Sequence, residues 1–208
     1  MRRHLWVVVP LLLASAEPIG AQARPEPRTP LLRSWPRVIA DVRGATSGVP
    51  SDVAFYPLLP ADVLVPSRGF GLDAGGHVYL GTVGAARLGF GANVIVVRAT
   101  QVDITTVARV IAPQVSFNFG GPDGWSYISG GLGAGAIAGR VRGEGGETER
   151  RSGTVSAINV GGGARWFMTR HLAFTFDLRL HRLGSGERDG TATPSAMLGA
   201  ASAGFSIR

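Results

Sequence analysis

The chain predicts an all-β protein, an eight-stranded antiparallel up-and-down transmembrane β-barrel. Three observations predict it. Eight segments alternate between apolar and polar residues with period two, the mark of a strand whose two faces meet different environments. The connections between them alternate strictly between short and long. Several segments also reach 13 to 16 residues, well beyond the roughly 5–6 usual in globular sheets.

The N-terminus reads as an export signal. Arg2 and Arg3 start it, 5-LWVVVPLLLASA-16 is the apolar run, and 21-AQA-23 gives small residues at a cleavage spacing. The run is too short for a spanning helix, which needs about 20 residues. Residues 1–23 are therefore expected to be a signal peptide, 24–35 a Pro-rich periplasmic segment and 36–208 the barrel domain. The chain has no cysteine, which excludes a disulfide scaffold and a cysteine-anchored lipoprotein. All 21 basic residues are arginine and the net charge is +7, but they are scattered singly rather than gathered in a stripe, so no nucleic-acid partner is expected.

The expected strands follow in order: 36-PRVIADVRG-44, 68-RGFGLDAGGHVYL-80, 84-GAARLGFGANVIVVR-98, 107-VARVIAPQVSFNF-119, 125-WSYISGGLGAGAIAG-139, 153-GTVSAINVGGGARWFM-168, 170-RHLAFTFDLRLHRL-183 and 194-PSAMLGAASAGFSI-207. Short turns join the second to the third, the fourth to the fifth and the sixth to the seventh. Longer loops occupy 45–67, 99–106, 140–152 and 184–193. Outer-membrane barrels give this pattern, with short periplasmic turns and long external loops. Both termini then lie at the periplasmic rim.

The alternation assigns the faces. Phe70, Leu72, Val78, Leu80, Leu88, Phe90, Val94, Val96 and the series Leu172 to Leu180 would face lipid. Asp41, Arg43, Asp73, His77, Arg87, Arg165, Asp177 and Arg179 would form an interior polar network. Asn93, Gln114, Ser116, Asn118, Asn159 and His181 share their face. Acids and bases occur together, as buried charges require. An eight-stranded bore is just wide enough for side chains to fill. No continuous apolar run marks a strand as buried on both faces. Phe119, Trp125, Tyr127, Trp166 and Phe205 are expected to form an interfacial girdle at the short-turn end.

In 116-SFNFGGPDGWSYISGGLG-133, 161-GGGARWFMTRHLAFTFDLRLH-181 and 203-AGFSIR-208 the chain resembles the small outer-membrane barrels of the OmpA/OmpX-like superfamily. The resemblance spans roughly residues 36–208. It implies the cell outer membrane of a Gram-negative-type bacterium, outer-membrane lipid and lipopolysaccharide as surroundings, insertion by the barrel assembly machinery, and a monomer. Such barrels commonly end on an aromatic, whereas this chain ends Ile207–Arg208.

No catalytic residue, metal ligand set or cofactor is expected. The nearest nominal set for catalysis, His181 with Ser185 and Glu187, lacks the His-x-Ser-Asn motif of a lipid A deacylase-like barrel and puts its serine in a glycine-rich loop. The expected function is a structural or surface role with a plugged bore. A narrow porin-like channel and a lipid-modifying enzyme are the alternatives. The 140–152 loop offers a mixed-charge tip, and 55-FYPLLPADVLVP-66 is apolar for a solvated loop and stays unassigned.

Overall fold

The computed structural model describes residues 35–56, 59, 64–143, 145–188 and 191–208. The expected signal peptide, and the Pro-rich segment up to residue 34, lie outside the described residues. The strands are β1 (Val38–Gly48), β2 (Arg68–Val83), β3 (Ala86–Gln101), β4 (Ile104–Gly121), β5 (Gly124–Gly143), β6 (Gly146–Arg151), β7 (Val155–Phe167), β8 (Leu172–Leu183), β9 (Gly186–Arg188), β10 (Thr191–Thr193) and β11 (Ala196–Ile207).

Eight of them close a ring in the order β4-β3-β2-β1-β11-β8-β7-β5, and β5 pairs back onto β4. Every pairing is antiparallel. The register runs from Val38 through Val78, Phe90, Val115, Gly130, Val160 and Leu180 to Gly199. Ser47 pairs with Ala200, so Gly199 lies beside Gly48, ten residues along β1 from the start. That shear imposes a steep strand tilt and a bore that side chains can fill.

All eight expected strands agree with the observed ones to within about three residues at the short-turn end. The long-loop end differs. The 99–106 connection is a tight turn at 102–103, because β3 and β4 stay paired out to Gln101 and Ile104. The 140–152 connection is mostly a hairpin, with Arg140 opposite Glu149 and Arg142 opposite Glu147 on β5 and β6. Cross-strand charge pairs hold such a ribbon. It carries no apolar stripe, so apolar alternation could not reveal it. Val102 sits at φ 51° in the β3–β4 turn. A β-branched residue in the left-handed region is strained by about 1–2 kcal/mol. Val102→Gly is therefore expected to raise the urea midpoint of the refolded protein by an amount worth roughly 1 kcal/mol; an unchanged or lowered midpoint counts against that strain.

The outer wall is apolar. Phe70, Leu72, Leu80, Ile128, Leu132, Val160, Leu178 and Leu180 are all more than half exposed, and with Val42, Phe90, Ile111 and Phe205 every ring strand carries an exposed large apolar residue. A patch of that extent is foreign to soluble monomers and suits a hydrocarbon surround.

Buried side chains occupy the inside of the ring in three layers. At the short-turn end Ile39, Tyr79, Trp125 and Tyr127 pack with Trp35 and Phe167. Trp35 lies 4.6 Å from Trp125, ring to ring, and Phe167 lies 5.1 Å from it. Two members of the expected girdle thus point inward: Trp125 and Tyr127 share their face with Ser129, whereas Phe119, Trp166 and Phe205 do face outward. The glycine and alanine of β5 had hidden which face was which.

The middle layer is polar. The third, at the long-loop end, is apolar: Ile95, Val97, Val110, Ile137, Leu183 and Leu198 are buried there. Along β3 the inward residues become apolar at this level while the outward ones stay exposed. In 94-VIVV-97 the even residues face out and the odd ones face in.

Phe55 and Tyr56, from the β1–β2 connection, enter this third layer. Asp52 starts the entry by accepting a hydrogen bond from the Ala54 amide (2.9 Å), which sets a single 3-10 turn over Val53–Phe55. The Tyr56 hydroxyl donates to the Pro50 carbonyl at 2.8 Å and lies 2.6 Å from Thr106 Oγ1. Arg150 Nη1 donates to the Ala54 carbonyl (3.1 Å) and ties the turn to the β5–β6 ribbon. The apolar loop that the sequence left unassigned is, in this part, a plug.

Candidate functional site: the polar middle layer

Alternation along each strand sends every second side chain inward, and on all eight ring strands one or more of those residues is polar. Asp41 on β1 accepts two hydrogen bonds from Arg165 on β7, Nε at 3.0 Å and Nη2 at 2.6 Å. It also accepts from the Ser206 hydroxyl on β11. Arg43, next on the same face of β1, grips Asp73 of β2 through Nε and Nη2, both at 3.1 Å. Asp73 further accepts from Asn93 of β3 and from Ser202 of β11, the latter at 2.7 Å.

A second group centres on Arg179 of β8. It holds Asp177 through Nε (3.1 Å) and Nη2 (2.9 Å). It also donates to Gln114 of β4 (2.8 Å), Asn159 of β7 (3.0 Å) and Ser129 of β5 (2.8 Å). Tyr127 joins the two groups. Its hydroxyl donates to Asp177 at 2.7 Å and accepts from Arg43 at 3.4 Å, while its ring lies 4.2 Å beneath the Arg165 guanidinium.

Three aspartates thus face three arginines, all of them buried, and the set is formally neutral. Forked guanidinium–carboxylate pairing of this kind satisfies both partners. Glycine leaves the space it needs. A Cβ at Gly163 would lie 2.8 Å from the Tyr127 hydroxyl, and one at Gly161 would lie 2.9 Å from the Arg179 Cα.

Seven of the eight residues expected in the network are buried, and six of them, the three aspartates and Arg43, Arg165 and Arg179, are hydrogen-bonded together. His77 is buried beside them, but its ring nitrogens and those of His181 meet no hydrogen-bond partner among the described residues. Arg87 stands apart. It is half-buried at the short-turn rim, its guanidinium 5.4 Å over the Trp35 ring, and joins none of these pairs. The alternation missed Tyr127, Ser129, Ser202 and Ser206. The first stands among the expected girdle residues, and the serines lie in glycine- and alanine-rich strands with weak contrast between faces.

The layer offers little for catalysis. Its carboxylates are occupied by arginines, and His181 is buried while Ser185 and Glu187 are exposed, so that nominal set is not assembled. Among the described residues no group of three or more His, Cys, Asp or Glu side chains is placed to hold a metal ion. Outside the barrel wall, Arg151 and then Arg140 hold the Glu149 carboxyl below the ordinary carboxylate range by donating hydrogen bonds to it.

No family model and no curated protein matches the chain. Solved structures do. The crystal structure of Neisserial surface protein A is similar with a TM-score of 0.60 and 13% identity, over 83% of this chain and 97% of that one. The crystal structure of Ail, the attachment invasion locus protein of Yersinia pestis, is similar with a TM-score of 0.51 and 15% identity, over 82% of this chain and 95% of that one. At such identities the likeness is one of fold: this chain has the closed eight-stranded barrel of these outer-membrane proteins.

Proposed function

We propose that the protein is an exported, monomeric barrel of the cell outer membrane with a structural or surface role, its bore plugged and without catalytic chemistry. What supports this reading most is the three layers of buried side chains inside the ring, to which all eight ring strands contribute between them. The exposed apolar wall supports the membrane setting, because only a closed barrel satisfies all backbone groups of a sheet in hydrocarbon. The fold shared with two surface proteins supports the same compartment and insertion by the barrel assembly machinery. The long-loop end then faces outward, and the Arg/Glu ribbon of β5 and β6 is its most prominent feature there.

Two measurements test the reading. Outer-membrane fractions should hold the protein in a form whose gel migration changes on boiling; recovery as a soluble periplasmic protein would overturn it. Planar bilayers containing the refolded protein should show no reproducible channel steps. Steady unitary conductance would favour the narrow-pore reading instead.

A further inference from the structure

Four arginines stand on the outside of the barrel wall: Arg68 on β2, Arg98 on β3, Arg109 on β4 and Arg182 on β8. Each is exposed. Three of them alternate with buried neighbours, as Arg98 does with Val97 and Ala99. Arg98 lies opposite Phe70 and Val107, two residues from Arg68 and from Arg109. With the climb that a ten-residue shear imposes around eight strands, all four come level to within about two residues. They mark the upper margin of the apolar band. None has an ion pair or hydrogen bond among the described residues, unlike Arg140 and Arg151 above them, which are engaged by Glu149 at 2.9 and 2.6 Å.

Below this margin the wall is indented. A groove of about 850 Å³ runs across β8, β11 and β1, floored by Gly199, Ala201, Thr46 and Gly48 and walled by Leu178 and Leu180. Arg68 closes one side of its upper end. Arg182, two residues above Leu180 on β8, stands just beyond the lining of the groove. Three interstrand steps separate β8 from β2, so the two strands lie ~14 Å apart measured along the wall at ~4.8 Å per step. Small residues sink the floor where neighbouring strands carry Leu, Val and Phe.

We propose that this groove and its arginines form a binding site for a phosphorylated lipid of the outer leaflet. An acyl chain lies along the apolar floor, and phosphate oxygens are held by the forks of Arg68 and Arg182. Arg98 and Arg109 continue the same anionic margin along β3 and β4. The chemistry is complementary at both ends: guanidinium matches phosphate in bidentate geometry, and a hydrocarbon chain fills a groove open only to hydrocarbon. Two cations so placed favour a lipid with two phosphates, as in bisphosphorylated lipid A. This inference rests on the outer-membrane reading above.

Native mass spectrometry of the refolded barrel in neutral detergent tests it, with bisphosphorylated lipid A, the same lipid stripped of phosphate, and inorganic phosphate as probes. Wild type should retain the bisphosphorylated lipid, and the other two probes should neither bind comparably nor displace it. R68Q/R182Q should weaken retention at least tenfold, and so should G199L, which fills the floor while leaving the arginines; R142Q, at the ribbon tip, should change little. Equal retention by the variants, or equal binding of the dephosphorylated lipid, overturns the site. A lipid-free dimer abolished by G199L would instead assign the groove to a second copy. Heat-modifiable migration of the same samples separates the two levels of failure. A sample that is heat-modifiable but holds no lipid sinks the site alone, whereas one that is not sinks the barrel reading itself.

Discussion

Arg165→Met is expected to cost the folded barrel about 3–5 kcal/mol, the range for removing one partner of a buried ion pair. Arg165 is 1% exposed and gives Asp41 two hydrogen bonds. Without it the Asp41 carboxylate keeps only the Ser206 hydroxyl and the Arg43 guanidinium at 3.7 Å, and Arg43 is already committed to Asp73. The loss is the cost of an uncompensated buried charge, not the worth of the pair itself. Methionine keeps most of the volume above Tyr127, so packing alone should account for little of it. The double variant D41N/R165M removes the charge together with its partner and is expected to recover most of the loss. Arg87→Met serves as the contrast. With a half-buried cation on a ring and no ion pair, it should cost less than about 1 kcal/mol, as exposed charges do. Equilibrium urea refolding into detergent micelles reads all three. A loss below 1 kcal/mol in R165M, or no recovery in the double variant, would show that the middle layer is not held as one charge-balanced unit.

What the sequence made legible follows from contrast between faces. In 172-LAFTFDLRL-180 each inward residue differs sharply from its outward neighbours, so strand, register and facing can all be read from it. The same holds for Asp41–Arg43 and for Asp73, and these are the residues that meet in the middle layer. Contrast fails in two other ways. In 93-NVIVV-97 both faces are apolar because the bore turns from polar to apolar partway up β3, and period two cannot report a change along the axis. In 125-WSYISGGLG-133 the contrast is inverted at the start, where Trp125 and Tyr127 point inward while Ser126 points outward ahead of Ile128 and Leu132, so Tyr127 stands among the expected girdle residues although it is the hub between Asp177 and Arg43. Partners across the bore were not legible at all: Asp41 and Arg165 lie 124 residues apart and meet only because the ring closes. The charge ribbon of β5 and β6 was legible as charge but not as strand, since its order comes from cross-strand pairs rather than from a buried face.

Phe55→Ala combined with Tyr56→Ala should produce the largest local change, release of the β1–β2 loop from the mouth of the barrel. Both side chains are 2% exposed and belong to the apolar layer with Val97, Ile104 and Ile137. Truncating a buried aromatic costs about 3–5 kcal/mol, and among the described residues the loop's other attachments are the single 3-10 turn, the Tyr56 hydroxyl contacts, one bond from Arg150, the Val49 amide bond to the Ser67 carbonyl, and Leu59 and Val65 packed on the same layer. The opening should therefore be local and leave the ring paired, as low-stability segments open without global unfolding. Limited proteolysis of intact vesicles should cut the variant within residues 49–67 while wild type resists, and both should keep heat-modifiable migration. Gly139→Val provides an independent route to the same state. A Cβ there would collide with the Phe55 carbonyl oxygen and lie 3.0 Å from the Tyr56 ring, so the loop is displaced without touching its own sequence. Protease resistance in both variants would mean that the plug is held by something other than these two rings. The opened variants also bear on the bore. With the top layer loosened, the arginine–aspartate layer and the Trp35–Trp125–Phe167 floor still close the path, so conductance should stay absent even when the mouth is open. Channel steps appearing in the double variant alone would place the whole seal in the loop and leave the charged layer a purely structural part of the wall.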